Sequence, residues 1–226
     1  MKRIILIAFL LLNILSYSQD LNFEKPNYKK IEKSIKKKKS NFYYEALMKR
    51  FLQGDSTMNL DEKRHLYYGY SFNKKYSPYN RSEYSDSVKL ILNKENLDSL
   101  DHIKIVNFTD NILSSNPFDL RALNYQLYSL EKLGDEIFFA RRVEQLRVII
   151  HAIMSSGNGK SKNEAFYVIS VSHEYDILNL LGYQFGGSQS LSGYFDYLTL
   201  EENNDDLKGL YFEISPSLNW MSKMFK

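Results

Sequence analysis

The chain has 226 residues, a formal net charge of +3, 43% hydrophobic residues and no cysteine. The absence of cysteine excludes disulfides, thiolate metal sites, a cysteine nucleophile and lipid attachment to an N-terminal cysteine. The small net charge argues against sequence-independent binding of nucleic acid, and no motif predicts a metal or a cofactor.

Residues 1–18 have the pattern of a secretory signal peptide. Lys2 and Arg3 precede an apolar run from Ile4 to Leu15, and Ser16 and Ser18 are the small residues of a cleavage site. The run is shorter than the roughly 20 apolar residues that a membrane-spanning helix needs. We therefore expect cleavage after Ser18, export to the periplasm or the medium, no membrane span and no lipid anchor.

A series of helices is predicted from Pro26 to Met154, because apolar residues recur at helical spacing between turn residues. Asn59 and Asp119 stand where a helix N-cap is expected, and Gly134 where a helix ends. The expected ranges are 26–38, 41–53, a helix that begins after Asn59, 84–92, 98–113, 119–133 and 136–154.

The passage from Asn116 to Asp135 resembles the turn and first helix of a tetratricopeptide repeat. Its stripe of leucines at helical spacing consists of Leu120, Leu123, Leu127 and Leu130. A period of about 34 residues does not recur clearly elsewhere, so an irregular helical bundle is the alternative.

The character of the sequence changes at residues 155–159, Ser-Ser-Gly-Asn-Gly, which predict a flexible junction. Strands are then expected at 165–171, 194–200 and 210–214, the last two forming an antiparallel hairpin. Ser172 is expected to cap a helix that Gly182 ends. A final helix at 216–225 would lay Leu218, Met221 and Phe225 on the sheet.

The predicted elements define an α+β protein. It has a helical unit at residues 19–157, either tetratricopeptide-like or an irregular bundle, and a small antiparallel-sheet α/β unit at residues 158–226.

Five stretches of this sequence resemble a family of secreted, Bacteroidetes-type proteins known only as a domain of unknown function. They are Tyr43–Leu47, Leu66–Tyr70, Asn116–Phe118, Ala165–Ile169 and Glu174–Leu178. The resemblance covers most of the chain after the signal peptide. It implies an exported protein of about this size, and it implies no activity, ligand or site residue.

Tyrosine is unusually frequent, with 18 in the chain, and several lie close together in the first half. Tyrosine rings stack on sugars and peptides and are favoured at interfaces. The candidate binding surface is Tyr67, Tyr68, Tyr70, Tyr76 and Tyr79. The alternative is that these rings belong to the helical core.

Other candidate motifs are incomplete. The Gly159-Lys160-Ser161 triplet lacks the earlier glycine and the strand–loop–helix context of a phosphate-binding loop. His173, Glu174 and Asp176 do not converge on one helix face as metal ligands would, so capping explains them more simply. Ser188 lacks the glycine of a nucleophile elbow and is expected in a flexible turn, Gly186 to Ser190.

These features favour a non-enzymatic interaction module, periplasmic or secreted, whose partner is a protein or glycan of the cell envelope. One alternative is an envelope hydrolase that uses carboxylates from separate helices, such as Glu174 and Asp176. A glycan-binding protein with a tyrosine-rich surface is the other alternative.

Overall fold

A computed structural model describes residues 23–225. These residues form two compact units. The helical unit comprises residues 28–152, and the sheet unit combines residues 23–27 with residues 153–225. The predicted signal peptide lies outside the described residues.

The helical unit consists of helices joined by short turns, as the sequence predicts. A turn of 3₁₀ helix, Tyr70–Phe72, follows the third helix. The helices are α1 (Tyr28–Ile35), α2 (Tyr44–Leu52), α3 (Leu60–Gly69), α4 (Tyr84–Leu92), α5 (Ser99–Ser115), α6 (Leu120–Leu133) and α7 (Glu136–Met154). None of the helices in residues 23–225 combines the length and hydropathy that a membrane span needs.

Local capping fixes several of these helix ends. The Asn59 side chain accepts a hydrogen bond from the Glu62 N–H at 3.0 Å, and the Glu62 carboxylate accepts one from the Asn59 N–H at 2.9 Å. The Asp119 carboxylate likewise accepts from the Ala122 N–H. Gly134 ends α6 in the left-handed conformation, with φ 71°. The predicted caps at Asn59 and Asp119 are confirmed, because side-chain acceptors satisfy amides that a helix start leaves open.

Aromatic rings and leucines form the core of the helical unit. The four leucines of the α6 stripe are all buried. Phe118, in the turn before α6, is fully buried, and its ring centroid lies 5.1 Å from that of Phe51, 5.9 Å from Tyr67 and 4.9 Å from Tyr70. Such aromatic clusters bury large apolar areas and add pairwise ring contacts.

The sheet unit contains a four-stranded sheet in the order β1-β4-β3-β2. Its strands are β1 (Phe166–Tyr167), β2 (Phe185–Ser192), β3 (Phe195–Leu200) and β4 (Gly209–Glu213). The predicted antiparallel pairing of β3 with β4 is confirmed. The sheet is mixed rather than purely antiparallel, because β1 pairs with β4 in parallel. The α+β class is confirmed.

Strand β2 replaces the flexible turn predicted at Gly186 to Ser190. The segment has no apolar alternation to indicate a strand, and its backbone is ordered by pairing with β3. The pairing register shifts between Phe185 and Gln189, where Gly187 has φ 85°. An edge strand with an irregularity needs little apolar content, which explains why the sequence pattern missed it.

The junction at 155–159 is a hydrogen-bonded turn rather than a flexible linker. The N–H groups of Asn158 and Gly159 both donate to the Glu164 carbonyl, at 2.9 and 2.7 Å. A Cβ on Gly157 would lie 2.1 Å from that same carbonyl oxygen. Glycine is required at position 157 because the two backbone segments approach so closely.

Two helices complete the sheet unit, α8 (Ser172–Leu180) and α9 (Ser215–Met224). Ser172 is the first residue of α8 rather than its cap, and its hydroxyl hydrogen-bonds that of Ser170. The prediction that Met221 and Phe225 lie against the sheet is wrong, because Met221 is exposed and Phe225 is 85% exposed. Pro216 and Ser217 are the buried residues of this helix.

Candidate functional site

The two faces of the sheet differ in composition. Because side chains alternate along a strand, the register places two sets of residues on opposite sides. The packed face carries Asp196, Leu198, Leu210 and Phe212, all buried. The open face carries Ser190, Ser192, Phe195, Tyr197, Tyr211 and Glu213.

Aromatic rings and hydroxyls dominate the open face. Ser190 and Ser192 are exposed, while Phe195, Tyr197 and Tyr211 are half-buried. The rings of Tyr197 and Tyr211 lie with their centroids 4.6 Å apart. The open face therefore presents ring surface and hydroxyl groups to solvent side by side.

A glycine positions one of these rings. A Cβ on Gly209 would lie 2.3 Å from Cζ of Tyr197 and 2.6 Å from the Leu198 carbonyl oxygen. Tyr197 thus lies across the backbone of β4 at Gly209. A glycine in a strand interior often marks such a close approach.

A lysine stands at one end of the open face. The Lys162 ammonium group donates a hydrogen bond to the Ser192 hydroxyl at 3.0 Å and lies 6.0 Å from the centroid of the Phe195 ring. An ammonium at this distance from an aromatic face is attracted by the ring quadrupole. The open face therefore combines aromatic, hydroxyl and cationic groups.

Glu213 belongs to the open face by register but is buried. Burial raises the pKa of its carboxyl group to about 7, although hydrogen bonds from Ser215 act in the opposite direction. Burial and the nearby Glu213 carboxylate also raise the pKa of the Tyr167 hydroxyl. Oε2 of Glu213 has no hydrogen-bond partner among residues 23–225. This carboxyl group is inaccessible to a ligand.

Two further acids lie under the packed face. Glu174, in the first turn of α8, has no exposed surface, and neither of its carboxyl oxygens has a hydrogen-bond partner in the described part of the chain. Burial, and secondarily the charge of Asp196, raise the pKa of Glu174 to about 9. Asp196 is buried, and its Oδ1 also has no partner within residues 23–225.

Gln189 links Asp196 to a tyrosine. Its side-chain amide donates to Oδ2 of Asp196, and its amide oxygen accepts from the Tyr175 hydroxyl at 2.7 Å. Within the described residues no group of three or more histidine, cysteine, aspartate or glutamate side chains could hold a metal ion. Protonation is the chemistry that this acid pair supports directly.

Four of the five tyrosines proposed as a surface lie in the helical core. Tyr67 and Tyr68 are fully buried, Tyr70 and Tyr76 are buried, and Tyr79 is 45% exposed. The Tyr68 hydroxyl donates to the Ala152 carbonyl at 2.9 Å. These four rings therefore belong to the helical core, which is the alternative that the sequence left open. They do not form an accessible surface.

The remaining candidates are separated from one another. His173 is buried beside Glu174, whereas Asp176 is half-buried. Ser188 lies on β2, where its N–H donates to the Thr199 hydroxyl. Lys160 is exposed beyond the turn at 155–159. No catalytic set is assembled from these candidates within the described residues.

The fold and the site define an α+β protein whose sheet turns one aromatic and serine-bearing face to solvent. A family model described as a domain of unknown function (DUF4919) matches residues 29–223, and the chain belongs to this family. The chain matches neither a curated protein nor a solved structure.

Sequence reasoning missed the open face and the proximity of Asp196 to Glu174. The alternation Phe195-Asp196-Tyr197-Leu198 is typical of a half-buried strand and could have separated the two faces. It could not show that Ser190 lies beside Tyr197, or Asp196 near Glu174, because those relations depend on strand pairing and helix packing.

Proposed function

We propose that this protein is an exported, non-enzymatic module that binds a macromolecular partner of the cell envelope through the open face of its sheet. The observation that carries the proposal is the half-buried pair Tyr197 and Tyr211 beside exposed serines. The signal-peptide pattern of residues 1–18 supports export.

The composition of the open face is suited to recognition. Tyrosine supplies a large, rigid contact area at a low cost in side-chain entropy, and serine and glycine supply adaptable hydrogen bonding. Tyrosine is also enriched among residues that dominate binding energy. Lys162 adds a positive charge at the margin, which favours a partner with acidic or strongly polar groups.

Both a protein and a glycan satisfy this chemistry. The ring pair offers a stacking surface to a sugar, and it offers an apolar anchor to a protein. The hydrolase alternative has less support, because Glu174 has no surface that a substrate could touch.

The test places a photo-crosslinking amino acid at Ser190, on the open face, in living cells of the native host. We expect an adduct of defined mass from this position. The adduct should be reduced at least about tenfold by the double variant Tyr197→Ser, Tyr211→Ser, since interface tyrosines often contribute more than 1.4 kcal/mol each.

Two matched controls accompany this experiment. The Tyr194→Ser variant removes an exposed tyrosine at the start of the hairpin and should leave the adduct unchanged. A crosslinker at Glu202, in the loop before β4, should give none. Circular dichroism confirms that each variant is folded. Equal crosslinking from Ser190 and Glu202, or an adduct that the tyrosine variants do not reduce, would contradict the proposal.

Further measurements resolve the partner class and the location. Loss of the adduct after glycosidase treatment identifies a glycan, and protease sensitivity identifies a protein. Cell fractionation with N-terminal sequencing tests export, for which we expect the mature chain to start at Gln19.

A further inference from the structure

The sheet unit contains a fully buried glutamate, Glu174, on α8. The Glu174 carboxyl group has no exposed surface and no hydrogen-bond partner for either oxygen among the described residues. Burial of an ionised carboxylate without a partner is so unfavourable that such a group holds a proton instead. Glu174 is therefore neutral in the folded sheet unit over the ordinary pH range.

Asp196, on β3, is buried, and its charge acts on Glu174. Gln189 bridges Asp196 to Tyr175, the residue that follows Glu174. Two carboxyl groups in one dry site do not both ionise readily, because like charges repel strongly at low dielectric. The Gln189 amide donates a hydrogen bond to Oδ2 of Asp196, whereas neither carboxyl oxygen of Glu174 has a hydrogen-bond partner among the described residues. The proton of the pair is therefore assigned to Glu174, the carboxyl group that has no such donor.

The side chains that β2 and β4 contribute to the packed face carry no charge. From β4, the packed face contributes Leu210 and Phe212, and Glu213 lies on the opposite face. From β2 comes the neutral Gln189 amide. On α8 itself, His173 is the buried neighbour in sequence, and the Tyr175 hydroxyl donates to Gln189.

We propose that Glu174 and Asp196 form a proton-dependent latch that holds α8 against the packed face of the sheet. While the pair keeps its proton, the neutral Glu174 side chain stays buried with Ile177 and Leu178 of the same helix. When the proton is lost, two negative charges oppose each other in a dry site, and α8 separates from the sheet to hydrate them.

The direction of the pH effect follows from proton linkage. The closed helix binds a proton that the open helix releases once the pH exceeds the ordinary pKa of a glutamate. The equilibrium constant for opening α8 therefore rises about tenfold for each unit of pH, until the closed form also ionises. Low pH therefore favours the closed position of α8, and high pH favours the open one. Because Gln189 lies on β2, opening also loosens the strand that carries the serines of the open face.

Hydrogen–deuterium exchange on the full chain tests the latch. The readout is the protection of α8 amides from about pH 6 to about pH 8, corrected for intrinsic exchange rates. We expect the opening equilibrium of α8 to rise about a hundredfold over this interval. Amides of α6, in the helical unit, serve as the internal reference.

Variants separate the latch from general instability. Glu174→Gln, a neutral mimic of the protonated acid, should abolish the pH-dependent rise in α8, whereas Glu202→Gln, at an exposed site, should keep it. If Glu174→Gln does not fold, Asp196→Asn decides the question. This variant removes the charge that opposes Glu174. The pH-dependent increase in α8 opening should therefore level off at a lower pH than in the unmodified protein.

Two results would overturn the latch. One is α8 protection that does not change with pH after correction, or that changes equally in α6. The other is restoration of α8 protection at alkaline pH by added Ca²⁺, lost in Glu174→Gln, which would assign the acid pair to cation binding.

Discussion

Glu213→Gln should reduce the dependence of the sheet unit's stability on pH below neutrality, and the contribution of Glu174 should remain. The folded protein holds this carboxyl group at a pKa of about 7, against an ordinary value of 4.5. Between these values the folded state keeps a proton that the unfolded state has lost, so the free energy of unfolding falls as the pH rises.

The magnitude follows from the size of the shift. One unit of pKa corresponds to about 1.4 kcal/mol, so the pH-dependent contribution of Glu213 between pH 4.5 and 7 is about 3 kcal/mol. Stability from this group is fully present below pH 4.5 and is lost as the pH rises to 7. In the glutamine variant the buried amide changes the free energy of unfolding by the same amount at every pH. The pH-dependent contribution of Glu213 is absent.

The assay is urea unfolding followed by the fluorescence of Trp220, the single tryptophan, which lies on α9 in the sheet unit. The free energy of unfolding is measured at several values between about pH 5 and about pH 7. The difference between the native protein and Glu213→Gln should shrink by about 1.4 kcal/mol per pH unit. Glu202→Gln is the matched control at an exposed site. Parallel pH profiles for the native protein and Glu213→Gln would refute the reasoning.

Three further substitutions test the packing. Phe118→Ala should destabilise the helical unit by about 3–5 kcal/mol in urea unfolding followed by circular dichroism at 222 nm, roughly the helical minimum. Phe138→Ala, at a 45% exposed ring, should cost less than about 1 kcal/mol. Gly209→Ala should cost about 1–3 kcal/mol by Trp220 fluorescence, because the added methyl group meets the Tyr197 ring and the Leu198 carbonyl. Equal losses for the two phenylalanines, or a stable Gly209→Ala, would contradict these contacts.

The helical unit could be predicted well from sequence because its signals are local. The Asn59 and Asp119 caps, the Gly134 stop and the leucine stripe of α6 each depend on residues within a few positions of one another. Local signals did not decide whether the tyrosines between residues 67 and 76 lie on the surface or in the core. Local composition shows that a ring is amphipathic, and only tertiary packing decides whether it is buried.

The sheet unit could be predicted only in part because its order comes from distant pairing. The β3–β4 hairpin was accessible from alternation, but β2 contains glycines and serines that read as a turn. Glu174 was identified only as a helix-terminal acid. Its significance depends on Asp196, which packing and not local sequence brings near.

The sheet unit is discontinuous in sequence, since residues 28–152 separate its two parts. The Glu24 N–H donates to the Ser155 carbonyl at 3.0 Å, which ties the early segment to the later one. Closing so long a loop through an unfolded chain costs about 4 kcal/mol in entropy, apart from a constant. A helical insertion that folds first removes part of this cost, because its two ends no longer move independently. During synthesis, segment 23–27 emerges before its partners at residues 153–225, so we expect the insertion to fold before the sheet unit that it interrupts.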